Sequence, residues 1–82
     1  MLKTLKVSIK EIYVPKGRRK TLDLEKATDL AEDILENGLN VPIQVRQGKG
    51  RFVLVEGLHR LEASILLGEE EIQTYLVQAR KF

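Results

Sequence analysis

The residues best suited to bind an anion follow one another in residues 53–63, which read VLVEGLHRLEA. The apolar start of this segment predicts a buried strand, Gly57 predicts a sharp turn, and the residues after it predict the first turn of a helix. The first amides of a helix have no acceptor within the helix and carry the positive end of its dipole. The segment therefore predicts a site for phosphate or another anion.

Four consecutive residues are predicted to form this phosphate site: Gly57, Leu58, His59 and Arg60. Gly57 lets an anion approach the backbone closely, and the amides of the next three residues are expected to point out of the helix end. His59, the single histidine, can donate a hydrogen bond or accept one, and Arg60 can bind two phosphate oxygens with its planar guanidinium.

Glu56 precedes the turn and is the candidate catalytic residue. From there its carboxylate can hold a divalent metal together with bound phosphates, or act as a general base. Two alternatives stay open: that Glu56 only orients a neighbouring arginine, and that Arg60 pairs with Glu56 or Glu62 while His59 caps the helix. One histidine and no cysteine exclude a zinc site of the usual type and a thiol nucleophile.

A second group of cations lies in residues 16–20, which are predicted to form a loop because they contain Gly17. Its members are Lys16, Arg18, Arg19 and Lys20. If this loop folds over the same edge of the sheet, it adds positive charge beside Arg60, which favours DNA or RNA as a partner as well as a nucleotide. The alternative is a solvated surface loop.

The spacing of apolar residues predicts a strand, a helix, a hairpin, a second helix and a last strand, at residues 4–9, 24–37, 42–46 with 52–55, 58–67 and 72–77. Asp23 is a suitable N-cap for the first helix. Residues 12–15 are predicted to be an extended exit from the first strand. The buried stripes of the two helices are expected to include Leu35 and Ile65, respectively.

These elements predict the α+β class, with a small mixed β-sheet and two helices packed on it, in the order β-α-β-β-α-β. The length of 82 residues predicts a single domain, residues 1–82. No apolar run approaches the ~20 residues that span a bilayer, and no signal peptide is recognised at the start. We therefore expect a cytoplasmic protein without a membrane partner.

The sequence as a whole resembles the ParB-like N-terminal (ParB-like nuclease) domains of the ParB/sulfiredoxin superfamily. The motifs that carry the resemblance are IYVP with GRR in 12–19, ILENGL with PIQV in 34–45, and VLVEGLHRLEA ending in LLG in 53–68. They occur in the order of the family, and the resemblance covers residues 4–78.

The resemblance implies a ParB/sulfiredoxin fold that binds a nucleoside triphosphate, CTP or ATP, with Mg²⁺. By resemblance, Gly57, His59 and Arg60 hold the nucleotide phosphates, and Arg18 and Arg19 correspond to the arginine motif of partition proteins. Members of the superfamily include partition proteins that bind CTP and clamp DNA, sulfiredoxins that use ATP, and a free-serine kinase that uses ADP.

Two departures from these relatives limit the expectation. Sulfiredoxins carry a catalytic cysteine immediately before the His-Arg pair, where this chain has Leu58, so sulfiredoxin chemistry is not expected. Partition proteins continue into DNA-reading and dimerisation domains, whereas this sequence ends at Phe82, so sequence-specific reading of DNA is not expected of these residues.

The expected function is thus that of a ParB-like nucleotide-binding domain acting on or near DNA, with metal coordination by the protein alone not expected. Two alternatives stay open. One is an enzyme of phosphate chemistry, either an NTPase, a nuclease or an ADP/ATP-dependent small-molecule kinase. The other is a protein-interaction module without a ligand, in which the exposed edges of a small sheet pair with another chain and form, for example, a homodimer.

Overall fold

The computed structural model describes residues 4–39 and 41–78. Within them the strands are β1 Thr4–Ser8, β2 Ile12–Tyr13, β3 Ile43–Gln47, β4 Phe52–Glu56 and β5 Glu71–Leu76. The α-helices of the same residues are α1 Lys16–Arg19, α2 Leu24–Asn37 and α3 Leu58–Leu66, and a single 3₁₀ turn, Ile9–Glu11, joins β1 to β2. The predicted α+β class is confirmed. None of these helices is both long enough and apolar enough to cross a membrane.

The strands form one mixed sheet in the order β1-β5-β3-β4-β2. β1 pairs antiparallel with β5, and β3 pairs antiparallel with β4, as the predicted hairpin requires. The pairs β3–β5 and β2–β4 are parallel. Because β3 is the central strand, its side chains Ile43 and Val45 are among the most buried in the protein, at 1% and 0% exposure.

One face of the sheet carries the core. Alternate strand residues point to this face and pack with two leucines of α3; the cluster includes Val7, Ile12, Ile43, Val45, Leu54, Leu58, Leu61 and Ile72. α3 contacts β3, and α2 packs against α3. The buried residues of α2 are both alanines, Ala27 and Ala31, and such short side chains let two helices approach closely.

The buried stripes of the helices are narrower than the apolar spacing predicts. Leu35 in α2 is 75% exposed and Ile65 in α3 is 44% exposed. A sheet of five short strands and a helix of nine residues offer too little surface to cover the whole apolar face of each helix. The expectation that both side chains are buried is therefore wrong.

Residues 12–15 differ from the prediction of a simple exit from the first strand. Ile12 and Tyr13 form a strand of their own, β2, which lies parallel to β4 with Ile12 opposite Phe52 and Tyr13 opposite Val53. Such a pairing joins residues 40 positions apart in the chain, which local spacing cannot reveal. β2 forms the sheet edge from which the chain continues to the basic segment.

The prediction of a loop at residues 16–20 is wrong, because Lys16–Arg19 form the helical turn α1. The carbonyl of Pro15 accepts hydrogen bonds from the amides of Arg18 and Arg19, at 3.0 and 3.2 Å. Proline is favoured at a helix start, and lysine and arginine are good helix formers. Successive residues of a helix point about 100° apart, so the two arginines leave α1 in different directions.

We expect Ala27→Leu to lower the free energy of unfolding by about 1–3 kcal/mol, because Ala27 is 0% exposed and the larger side chain would push α2 from its neighbours. Thr28→Leu is the matched control on the exposed side of α2 and should change it by less than about 0.5 kcal/mol. Urea unfolding followed by circular dichroism measures both. Equal effects would contradict close packing of α2.

Candidate functional site

Gly57 is the turn between β4 and α3, and its geometry requires glycine. Its φ and ψ are 107° and 31°, in the left-handed region where side chains are disfavoured. A Cβ at this position would lie 2.6 Å from Cγ2 and 2.8 Å from Cβ of Ile43. Gly57 thus lets α3 begin directly against the central strand.

The first turn of α3 has backbone amides available for a ligand. The first helical hydrogen bond joins the amide of Leu61 to the carbonyl of Gly57 at 2.9 Å, so the amides of the three residues between them have no acceptor within the helix. No side chain among residues 4–39 and 41–78 caps this end. By contrast, the carboxylate of Asp23 caps α2 by accepting from the amides of Glu25 and Lys26 at 3.0 and 3.3 Å.

The side chain of Leu58 belongs to the core, where it is 8% exposed. The backbone amide is therefore the part of Leu58 that is available to a ligand at the helix start. A leucine at this position has no group that can act as a nucleophile.

His59 links the starts of α2 and α3. Its Nε2 accepts a hydrogen bond from the backbone amide of Asp23 at 3.0 Å. An accepting Nε2 carries no proton, so the neutral ring has its proton on Nδ1. His59 therefore has one nitrogen, and not two, to offer a ligand while this bond is intact. His59 therefore caps the start of α2. The alternative drawn from the sequence was that it caps the start of its own helix, α3.

The side chain of Arg60 makes no hydrogen bond or ion pair with any residue that the structure describes. The alternative in which Arg60 pairs with Glu56 or Glu62 is thus not the arrangement found. Instead, Nη2 of Arg18 lies 3.5 Å from Oε1 of Glu56. The side chains of this pair are 40% and 64% exposed, so solvent screens the interaction and it contributes little to stability.

These residues line one open cleft of about 320 Å³, which we call the α3 cleft: Arg18, Thr21, Glu56, Gly57, Leu58, His59 and Arg60. It combines two guanidinium groups with the uncapped start of α3, beside one carboxylate. The structure thus brings the predicted phosphate residues, the candidate catalytic carboxylate and one residue of the basic segment into one place.

The other three cations of the basic segment do not line the α3 cleft. Arg19 turns away, donates from Nε to the carbonyl of Val14 at 3.3 Å, and borders a different, largely apolar cavity. Lys16 and Lys20 are exposed. The helical form of α1 explains this separation, because adjacent residues of a helical turn point in different directions.

Sequence reasoning missed Thr21 as a residue of the cleft and Asp23 as the partner of His59. Thr21 donates its hydroxyl proton to the carbonyl of Arg18 at 2.7 Å. A polar residue two positions before a predicted N-cap was the signal available for Thr21. No local signal exists for a bond between residues 36 positions apart.

Within residues 4–39 and 41–78, no group of three or more His, Cys, Asp or Glu side chains converges to hold a metal ion. The sequence contains a single histidine and no cysteine. A divalent cation in the α3 cleft would need additional oxygen ligands, such as those of a phosphate chain.

The sequence and the fold match those of known proteins. A sequence model described as the ParB N-terminal domain matches residues 2–81. A probable chromosome-partitioning protein ParB of Campylobacter jejuni is 40% identical over 58 residues, covering 71% of this chain. The chain spans only 21% of that relative's length.

The solved structures that share the fold include the following two. Sulfiredoxin from Arabidopsis thaliana superposes with a TM-score of 0.82 at 28% identity, covering 94% of this chain and 86% of that one. A C-terminally truncated chromosome-partitioning protein ParB from Caulobacter crescentus, complexed with CTP-γ-S, superposes with a TM-score of 0.80 at 24% identity. The match covers 96% of this chain and 46% of that one.

Gly57→Ala should destabilise the protein by about 2 kcal/mol or more, because the new methyl group would clash with Ile43 at a backbone angle that alanine disfavours. Gly17→Ala is the control, since nothing lies within 4 Å of a Cβ there and the residue is helical. It should be neutral or slightly stabilising. Chemical denaturation tests both, and a tolerated Gly57→Ala would disprove the close approach.

His59→Ala should lower the free energy of unfolding by about 1 kcal/mol, because the amide of Asp23 loses its acceptor. Arg60→Ala should change it by less than about 0.5 kcal/mol, since Arg60 makes no polar contact within the described residues and a cation at a helix start is not favoured by the dipole. Thermal unfolding distinguishes them; the reverse order of effects would contradict these assignments.

Proposed function

Because this chain belongs to the family of ParB N-terminal domains, we propose that the α3 cleft binds the phosphates of a nucleoside triphosphate, CTP or ATP, together with Mg²⁺. One observation carries the proposal. The start of α2 is capped by a carboxylate of the chain itself, whereas no side chain of the described residues caps the start of α3, which lines one cleft with two arginines.

The backbone provides the first part of the site. The amides of Leu58, His59 and Arg60 are held rigidly by the helix that follows, so ordering them on a ligand costs little entropy. Oriented amides and the helix dipole together favour an anion. Gly57 lets a phosphate oxygen approach the backbone closely, because the residue has no side chain to stand between them.

Arg60 and Arg18 provide the charge. Arg60 is free of competing polar contacts within the described residues, so a bidentate bond to phosphate displaces nothing. Arg18 is paired with Glu56, but an exposed pair of this kind contributes about 1 kcal/mol or less. A phosphate with two or more negative charges attracts Arg18 more strongly than a single carboxylate does, so it can displace Glu56 from this pair.

Mg²⁺ fits this arrangement in one way. The ion is commonly bound by one or two carboxylates together with substrate phosphates, and Glu56 is the carboxylate of the cleft. Once Arg18 has turned to the phosphates, Glu56 would be free to hold the ion. The charge of Mg²⁺ would then offset the phosphate charge that repels Glu56.

The CTP-γ-S complex of the Caulobacter crescentus ParB supports a nucleotide as the ligand, because that protein has the same fold. Kinship with a partitioning protein also supports a place in the cytoplasm, near DNA. The preference between CTP and ATP depends on contacts with the base.

Binding of nucleotide is tested by calorimetric titration with CTP, ATP and ADP, each with and without Mg²⁺. Arg60→Ala should weaken binding about tenfold or more, as expected for loss of a charge-assisted bond to phosphate. Arg18→Ala should weaken it to a smaller degree, because Arg18 must first leave Glu56. Arg19→Ala is the matched control, since Arg19 faces another cavity, and should leave the affinity unchanged.

Two results would contradict the proposal: no heat of binding with any of the three nucleotides, or an unchanged affinity in Arg60→Ala. Circular dichroism of each variant establishes that the fold is retained.

The position of Glu56 favours one second candidate function, a phosphate-transfer or hydrolytic enzyme in which this carboxylate acts on the ligand. Its side chain is 64% exposed at the cleft, within reach of a bound ligand. Metal-dependent release of phosphate that is lost in Glu56→Gln, while the affinity for nucleotide is retained, would establish this activity. Release that persists in Glu56→Gln would exclude Glu56 as its catalyst.

A further inference from the structure

A second cationic surface lies on the face of the sheet opposite α3. Ile12 and Leu54 face the core, so their neighbours Tyr13 and Val53 face the other side. Val53 is the cross-strand partner of both Tyr13 and Arg46. These three residues therefore form one row across β2, β4 and β3, with roughly 10 Å between the outer two.

Arg51 joins this row from the end of the β3–β4 hairpin. Its Cζ lies 3.8 Å from the centroid of the Tyr13 ring, which holds the guanidinium above the sheet by a cation–π contact. Lys49 is exposed in the turn of the same hairpin. We call these four residues the hairpin patch: Tyr13, Arg46, Lys49 and Arg51.

The cations of the hairpin patch outnumber the carboxylates close to it in the fold, where Glu11 lies two residues before Tyr13. No aspartate or glutamate occurs in the sequence between Glu36 and Glu56, a stretch that contains the three cations of the patch. None of these cations forms a salt bridge with a residue that the structure describes. Acidic residues are concentrated instead on α2, whose exposed side carries Glu25, Asp29, Glu32, Asp33 and Glu36.

The hairpin patch is also separate from the α3 cleft. Arg51 precedes the first residue of β4, and Glu56 is its last residue, so the two sites lie at opposite ends of one strand. At about 3.4 Å per residue, Arg51 lies about 17 Å along the strand from Glu56, and the row through Val53 lies about 10 Å from it on the opposite face of the sheet. A single nucleotide bound at α3 does not occupy both.

We infer that the hairpin patch binds the phosphate backbone of a nucleic acid strand, independently of the nucleotide cleft. Its cations are spread over an open face instead of converging on one point, which suits a repeating line of charges better than a single phosphate group. The arginine over Tyr13 adds a planar group on which a base can stack. Binding to such a patch releases counterions and is therefore strongly salt-dependent.

The test uses fluorescence anisotropy with two labelled probes, an oligothymidylate of about 20 nucleotides and a DNA duplex of about the same length, at salt concentrations from about 50 to 200 mM. The two probes distinguish single-stranded from double-stranded DNA. Arg46→Gln/Arg51→Gln should weaken binding about tenfold or more at low salt. For the single strand it should reduce the slope of log K against log[salt] by about 1.4, or about 0.7 per lost contact.

Lys10→Gln/Lys26→Gln is the matched control, since it removes the same charge from exposed positions outside the patch and should leave the slope within about 0.3 of the original. Lys49→Glu is the second variant. It lies in an exposed turn and cannot disturb the core, and it should also weaken binding. Calorimetric titration of the double variant with CTP and Mg²⁺ shows whether the α3 cleft is intact.

Three outcomes would overturn the inference: no saturable binding of either probe at low salt, equal weakening by both double variants, or unchanged binding in Lys49→Glu. Salt-sensitive self-association that is lost in Arg46→Gln/Arg51→Gln, without binding of either probe, would also overturn it. That result would indicate that the hairpin patch binds the acidic side of α2 on a second copy of the chain. Because the readout is DNA binding, failure here is independent of nucleotide binding at α3.

Discussion

At Gly57 the chain leaves β4 and enters α3 directly against the side chain of Ile43, and this close approach organises the rest of the domain. Ile43 belongs to the central strand and is 1% exposed, so its side chain has no space into which it could move away. The contact sets the position at which α3 begins, places Leu58 and Leu61 in the core, and leaves the next amides at the surface. A structural requirement of the core thus also exposes the amides on which the proposed anion site depends.

The two longer helices begin side by side but differ in how their first amides are satisfied. α2 uses the carboxylate of Asp23, and the amide of Asp23 itself binds to His59 on α3. Nothing in the described residues fills the corresponding role at α3. In a small domain with a thin core, one helix start can remain open to a ligand because the neighbouring start is firmly held.

The elements with strong local signals were predictable. Asp23 and the apolar spacing predicted a helix at 24–37, which is where α2 lies, and the hairpin and the strand–glycine–helix turn were predicted for similar reasons. The basic segment was not. Gly17 suggested a loop, but Pro15 and a run of good helix formers produced a helical turn. Because of that turn, Arg18 and Arg19 point to different cavities, although they are adjacent in the sequence and were expected to act at one site.

The sequence by itself determined the types of residue at the α3 start, the need for glycine before it, and the composition that excludes thiol and zinc chemistry. The tertiary structure alone decided that Arg18, and not Arg60, contacts Glu56, that His59 binds Asp23, and that Tyr13 and Arg46 lie in one row on the helix-free face. The reason is physical. Helix periodicity and capping act over a few residues, whereas these contacts join residues that are distant in the chain and meet only when the sheet has assembled.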